Sequence, residues 1–254
     1  MSTGLAAPPS LPELDVHGPC AVFIDFDGTL VEIAETPDSI CIKQGLVDDL
    51  SKLAEKFNGR IALVSGRSVE DLSKHLGSGL TIAQAGSHGA DKRLADGAAL
   101  GDIPQPLPQE VIGALTSFAG RNELRYEAKT HGGALHYREN PAAENAAQLF
   151  AEAVAHDHGL SLKRGKSVVE LVRPGADKGS AVEAFMQIKP FAGSTPIFIG
   201  DDVTDEDGFA ACETLGGFGV LVGELRETKA RYRLASVSRV HQWLGLSAFR
   251  NRTT

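Results

Sequence analysis

Four short apolar runs constrain this chain more than any other feature. Residues 21–26 (AVFIDF), 61–64 (IALV), 195–200 (TPIFIG) and 218–222 (FGVLV) are brief and β-branched or aromatic, and they read as buried strands. Residues 81–85 add another strand. Between the strands lie helical patterns. Residues 44–57 bring Leu46, Leu50, Leu53 and Phe57 to one face, and residues 68–76 open on Ser68 as an N-cap with Asp71 three positions on, close to a capping box. Residues 177–187 and 204–212 are also expected to be helical. Strands alternating with helices build βαβ units, so the expectation is an α/β, doubly wound parallel sheet of Rossmann-like form.

The middle of the chain follows a different pattern. Arg125–Lys129 (RYEAK), a turn around Gly132-Gly133 and residues 134–138 (ALHYR) form a hairpin signature. Pro141 then opens a helix to about His158, and Val168–Val172 gives a further strand. Pro104, Pro106 and Pro108 punctuate one end of this stretch and Pro174-Gly175 the other. The expected organisation is a core of residues 19–104 and 174–254, a smaller α/β unit of residues 105–173 inserted into it, and a flexible lead over residues 1–18 broken by Pro8, Pro9 and Pro12.

Composition narrows the function. The chain has 254 residues, with 33 Asp and Glu against 25 Lys and Arg, for a formal charge of −8. That balance lacks the basic field of a nucleic-acid binder, yet a pocket of local positive charge still takes a small anion. Cys20, Cys41 and Cys212 are widely spaced, which argues against a zinc site or disulfide framework and for a reducing compartment. The N-terminus has no basic n-region, and no apolar run reaches the ~18 residues of a membrane span, so a soluble, cytoplasmic and monomeric protein is expected. Trp243, with Val240 and Leu244, is expected to pack a last helix on the core, and His156 and His158 to lie on the surface.

The chemistry gathers at the strand ends, where ligands of open α/β sheets bind. Asp25-Phe26-Asp27-Gly28-Thr29-Leu30 sets two carboxylates two residues apart as the first run ends. Such a motif also opens calcium loops, but here a strand precedes it and position twelve is Thr36. A second run ends in Gly200-Asp201-Asp202-Val203-Thr204-Asp205. Two strands that deliver carboxylates to one edge repel each other unless a cation lies between them, and Mg²⁺ suits an all-oxygen set completed by water and phosphate. Ser65-Gly66-Arg67 offers a hydroxyl and a backbone N–H before a helix, a place suited to an anion. Lys178, at a helix start, opposes the dipole and reads either as a solvated surface lysine or as a functional one. Glu127 and Lys129 share a strand face, as either a surface ion pair or a sugar-binding pair.

The four strand-end features, in this order, resemble the haloacid-dehalogenase-type phosphatases. Gly86-Ser87-His88-Gly89-Ala90, Glu170-Leu171-Val172-Arg173-Pro174 and Gly200-Asp201-Asp202-Val203-Thr204-Asp205-Glu206 narrow the resemblance to trehalose-6-phosphate phosphatases, over residues 20–244. The resemblance implies a haloacid-dehalogenase core with an inserted cap, and Mg²⁺-dependent hydrolysis of trehalose 6-phosphate. It implies Asp25 as nucleophile, Asp27 as general acid and base, and Ser65, Gly66 and Lys178 around the phosphate. Asp25, the Asp27 carbonyl and Asp201 would hold the metal, with Asp202 and Asp205 supporting Lys178 and the ion. The sugar would meet Glu127, Lys129 and Glu170, with Arg67 and His88 nearby, and the hinges would lie over residues 104–108 and 173–175. Related sugar-phosphate phosphatases, of the sucrose-phosphate or mannosylphosphoglycerate type, share the core motifs. A catalytically silent sugar-phosphate sensor has no use for an acid beside the nucleophile.

Overall fold

The computed structural model describes residues 4–34, 39–77, 79–103, 105–165, 167–175 and 177–246; Pro104 and Thr36 lie outside them. In chain order, α1 (Leu11–Asp15) precedes β1 (Cys20–Ile24), α2 (Leu46–Lys56), β2 (Ile61–Val64), α3 (Val69–Leu76), β3 (Ala83–Gly86) and β4 (Asp91–Arg93). Then come α4 (Gln109–Arg121), β5 (Arg125–Lys129), β6 (Gly132–His136), α5 (Glu144–His158), β7 (Ser161–Gly165) and β8 (Val168–Val172). The chain finishes with α6 (Lys178–Met186), β9 (Thr195–Gly200), α7 (Glu206–Thr214), β10 (Phe218–Val222), β11 (Tyr232–Leu234) and α8 (Val237–Leu244).

Two sheets result. The larger has the order β11-β10-β9-β1-β2-β3-β4, parallel throughout except for β4, which runs antiparallel to β3. The smaller is antiparallel, in the order β5-β6-β8-β7. Alternate strand residues feed opposite faces of the large sheet. Val22, Ile24, Leu63 and Ile199 pack with Leu50 of α2, Leu72 of α3 and Val240 of α8. Phe23, Val64 and Phe198 pack with Phe185 of α6 and Phe209 of α7. Helices therefore cover both faces, as expected of a doubly wound sheet. The strand order reverses about β1, which pairs with both β2 and β9, so the ends of these three strands meet at the switch point. The smaller sheet has its own core, with Leu135, Val169 and Leu171 against Val111 and Leu115 of α4 and Ala151 of α5. Its two links to the larger unit touch, because Arg173 donates a hydrogen bond to the Pro106 carbonyl at 2.8 Å.

Three expectations need correction. Part of the lead is docked rather than loose: Leu5 packs against the core, Arg233 N–H donates to the Ala6 carbonyl at 2.9 Å, and Trp243 Nε1 donates to that of Pro9 at 2.8 Å. Its prolines stiffen a segment that Ser10 and Glu13 start as a capping box, with Leu11 buried. The hairpin turn lies at Thr130-His131, not at Gly132-Gly133. Both glycines are in β6, where Gly133 packs against the Tyr126 ring and Leu115. The helix expected from Thr204 begins as a 3-10 turn, Val203–Asp205, before α7. The short strands β4, β7 and β11 carry no apolar run and are found only in the structure. Among the described residues no helix is long and apolar enough to cross a membrane.

Candidate active site

A cavity of about 410 Å³ separates the ends of β1 and β2 from the open face of the smaller sheet. That volume falls within the roughly 300–1,000 Å³ of small-molecule sites. Asp25 stands one residue beyond β1 and is buried, with its N–H donating to the Ile199 carbonyl at 2.9 Å. The chain then turns, and Gly28 adopts φ +80°. A β-carbon there would stand 2.1 Å from Asp201 Oδ2, so glycine is what allows the two strand ends to approach.

Lys178 is the first residue of α6, capped by Asp177, and it is 3% exposed. Its Nζ donates to Asp25 Oδ1 at 2.7 Å and to Asp205 Oδ1 at 2.6 Å. A cation at this end of a helix is disfavoured by the dipole. Two buried carboxylates more than offset that cost, and they hold the Lys178 ammonium above its usual range although burial acts the other way. The carboxylates themselves are strained electrostatically. Burial, then the charges of Asp205 and Asp201, hold Asp25 well above its ordinary value against the opposing pull of Lys178. Burial and the neighbours Asp205 and Asp202 push Asp201 to about 7. Among the described residues, Asp25, Asp201 and Asp205 bring carboxylate oxygens within 4.8 Å of one another. This hard-oxygen, acid-rich set fits Mg²⁺.

The two supporting aspartates stand differently. Asp205 is fully buried: one oxygen accepts from Lys178 Nζ, and the other from the Asp202 N–H at 2.9 Å. Asp202 does not reach Lys178. Its carboxylate caps Val203 N–H at 2.8 Å, and its carbonyl accepts from Arg226 at 2.7 Å. The 3-10 turn explains the difference, because it folds the third residue on back toward the strand end and leaves Asp202 facing the cavity rim.

Ser65 follows β2, and its Oγ accepts from the Arg67 N–H at 3.1 Å. Arg67, expected near the sugar, lines the cavity, and its guanidinium grips Asp27 with two hydrogen bonds, 2.6 and 2.8 Å, and Asp71 with a third at 2.7 Å. Asp71 lies one helical turn along α3, so the side chain of Arg67 and that of its i+4 neighbour share a face.

On the smaller sheet, register puts Glu127, Ala134, Glu170 and Lys163 in one row across β5, β6, β8 and β7. Glu127 lies 2.6 Å from His136 Nε2. Burial alone would raise Glu127, but the His136 hydrogen bond and the Lys129 charge outweigh it and hold the carboxyl low. Glu170 Oε2 accepts from Lys129 Nζ at 2.5 Å and lies 3.2 Å from His88 Nε2. Burial would again raise it, yet Lys129 and His88 bring it down to about 2. Among the described residues its other oxygen, Oε1, is buried with no hydrogen-bond partner. Asp25, Asp27, Ser65, Gly66, Arg67, His88, Glu127, Lys129, Glu170, Lys178, Asp201 and Asp202 all line the cavity, while Asp205 stands beneath it. His136 and Arg138 of the hairpin signature line it too, as does Lys163, which was not singled out in the sequence.

A family model described as Trehalose-phosphatase matches residues 23–238. The chain is 39% identical over 227 residues to a trehalose-6-phosphate phosphatase of Escherichia coli K12, covering 88% of this chain and 85% of that protein. It is 38% identical over 210 residues to a probable trehalose-phosphate phosphatase of Sinorhizobium fredii, covering 80% and 77%. The C-terminal domain of the C. albicans trehalose-6-phosphate phosphatase has the same fold, with TM-score 0.81 at 20% identity over 97% of this chain and 98% of that one. This chain belongs to the trehalose-phosphatase family.

Proposed function

We propose that the chain hydrolyses trehalose 6-phosphate to trehalose and phosphate in the cytoplasm, as a monomer and as the last step of trehalose biosynthesis. One observation carries the reading. A single cavity joins the Asp25–Lys178 pair at one end to Glu170, held by Lys129 and His88, at the other. The net negative charge and the size of the cavity suit a small molecule rather than nucleic acid or a membrane.

In this reading a carboxylate oxygen of Asp25 attacks phosphorus, and the bond from phosphorus to the sugar oxygen breaks. Asp27 gives that oxygen a proton, which requires one of its two Arg67 hydrogen bonds to open. Asp27 then takes a proton from water. The water oxygen attacks the aspartyl-phosphate, the Asp25–phosphorus bond breaks, and phosphate leaves. Ser65, Gly66 and Lys178 hold the phosphate oxygens where charge develops. Asp25, Asp201 and the Asp27 carbonyl would hold Mg²⁺, which when bound supplies positive charge to the phosphoryl group. Glu127, Lys129 and Glu170 offer acceptors and a donor to sugar hydroxyls. A site built for hydroxyls rejects analogues lacking them by ~10⁴. Residues 105–173 serve as a cap that rotates about residues 104–108 and 173–175, and X-ray scattering with and without trehalose checks this.

The direct test measures phosphate release, with and without Mg²⁺, from trehalose 6-phosphate, sucrose 6-phosphate, glucose 6-phosphate and p-nitrophenyl phosphate, with Asp25→Asn as control. Mg²⁺-dependent release selective for trehalose 6-phosphate is expected. Selectivity for another sugar phosphate overturns the substrate assignment and keeps the core chemistry. No release from any of them, by folded protein, overturns the enzyme reading.

A further inference from the structure

The 3-10 turn after β3, Ser87–Gly89, has three consecutive residues with positive φ: Ser87 at 50°, His88 at 56° and Gly89 at 96°. The first two are not glycine, and such backbone persists only where its surroundings over-determine it. The surroundings here are the working parts of the cavity. Ser87 N–H donates to the Arg67 carbonyl at 2.7 Å and His88 N–H to that of Ser65 at 2.9 Å, so the two bonds straddle Gly66. The His88 ring lies against Gly66 itself, where a β-carbon would come within 2.7 Å of His88 Cε1. A β-carbon on Gly89 would stand 2.2 Å from the carbonyl of Asp177, the residue before Lys178. On its far side the ring reaches across to the smaller sheet, with His88 Nε2 3.2 Å from Glu170 Oε2. Three residues thus touch the phosphate turn, the start of the Lys178 helix and the sugar end.

We infer that His88 is a positioning residue that couples an occupied sugar end of the cavity to the geometry of the Gly66 turn. The inference rests on the substrate reading above. A sugar seated against the Lys129–Glu170 pair fixes that carboxylate, which fixes the imidazole, which presses the Gly66 turn into the shape that receives phosphate. A histidine that only filled space would not need to reach Glu170. One that only bound sugar would not need to rest on Gly66 or to be held at both neighbouring carbonyls.

The test uses His88→Asn, because asparagine tolerates the left-handed backbone but is too short to reach Glu170; a thermal melt checks folding. Coupling realised only in the transition state lowers kcat with KM nearly unchanged. The kcat on trehalose 6-phosphate relative to that on p-nitrophenyl phosphate, which has no sugar, is expected to fall about tenfold or more. In the Mg²⁺-loaded wild type, saturating trehalose should tighten vanadate binding by roughly 5–150-fold, and His88→Asn should abolish most of that gain. Glu170→Gln should remove the same coupling, and adding it to His88→Asn should cost little more. A parallel loss on both substrates with a lower melting temperature overturns the inference in favour of a structural turn. A rise in KM alone overturns it in favour of a simple sugar contact. Vanadate binding that trehalose tightens equally in wild type and variant also overturns it. Wild-type enzyme that prefers p-nitrophenyl phosphate to trehalose 6-phosphate is a separate result: it overturns the substrate reading, with no variant needed.

Discussion

The two ends of the cavity balance their charges in opposite ways. At the core end, Asp25, Asp201 and Asp205 crowd around a single ammonium, Lys178, and burial and mutual repulsion push Asp25 and Asp201 upward. At the sugar end, Glu170 alone faces both Lys129 and His88 and is drawn down to about 2. One end has more negative charge than its own cations neutralise; the other is neutralised, with one acceptor oxygen to spare. The difference matches the two halves of a sugar phosphate. A divalent cation with an ester of phosphate suits the first end, and an uncharged polyol suits the second. Chemistry belongs to an end that is electrostatically unfinished, and selection to one that is electrostatically complete.

Substitutions at the two ends should therefore separate. The largest effect is expected for Asp25→Asn, with turnover of every phosphate ester falling by about 10⁴-fold or more in rapid-quench assays. Lys178→Met comes next, lowering kcat on all substrates by about 10²–10³-fold. It leaves Asp25 and Asp205 buried without their partner, so urea unfolding should show a loss of about 3–5 kcal/mol. Lys129→Met tests the other end: kcat/KM should fall about 10²-fold on trehalose 6-phosphate and at least tenfold less on p-nitrophenyl phosphate. Equal losses on the two esters would break the division of labour.

A pH titration sharpens the comparison. Glu170 sits at about 2 in the folded protein against 4.5 ordinarily, so its stabilising contribution is complete above 4.5 and lost as pH falls from there to about 2. Urea midpoints of the wild type should drop through that window more steeply than those of Glu170→Gln. The smallest effect belongs away from both ends. Trp243→Phe removes the hydrogen bond to Pro9 and should lower stability by about 1 kcal/mol, with kinetics untouched.

Much of the core end was legible because its parts are local. Asp25, Ser65 and Asp201 each follow directly on an apolar strand, and the sheet supplies the convergence. What escaped depends on short-range folding that the residue pattern does not encode. Asp205 reaches Lys178 and Asp202 does not, because a 3-10 turn intervenes. Arg67 turns to Asp71 and to Asp27, a partner forty residues earlier that local spacing does not reveal. The sugar end was legible mainly by resemblance. Its glycine pair suggests a turn, yet the turn is Thr130-His131, and Lys163 on β7 has no strand-like neighbours to announce it.

The central position of β1 has a consequence for how the protein is made. Cys20–Ile24 emerges early from the ribosome, but β9, its partner over five residue pairs, begins only at Thr195. At ~5–20 residues per second, the β9 side of this wholly apolar strand stays unpaired for on the order of 10–30 s. Meanwhile the smaller unit, which has its own core, is complete and free to fold first. The nascent chain thus carries a sticky edge for most of its synthesis, joined by a finished neighbour shortly before β9 appears. Variants that weaken the β1–β9 pairing should reveal themselves as low soluble yield from cells before they register as a lower melting temperature in the purified enzyme.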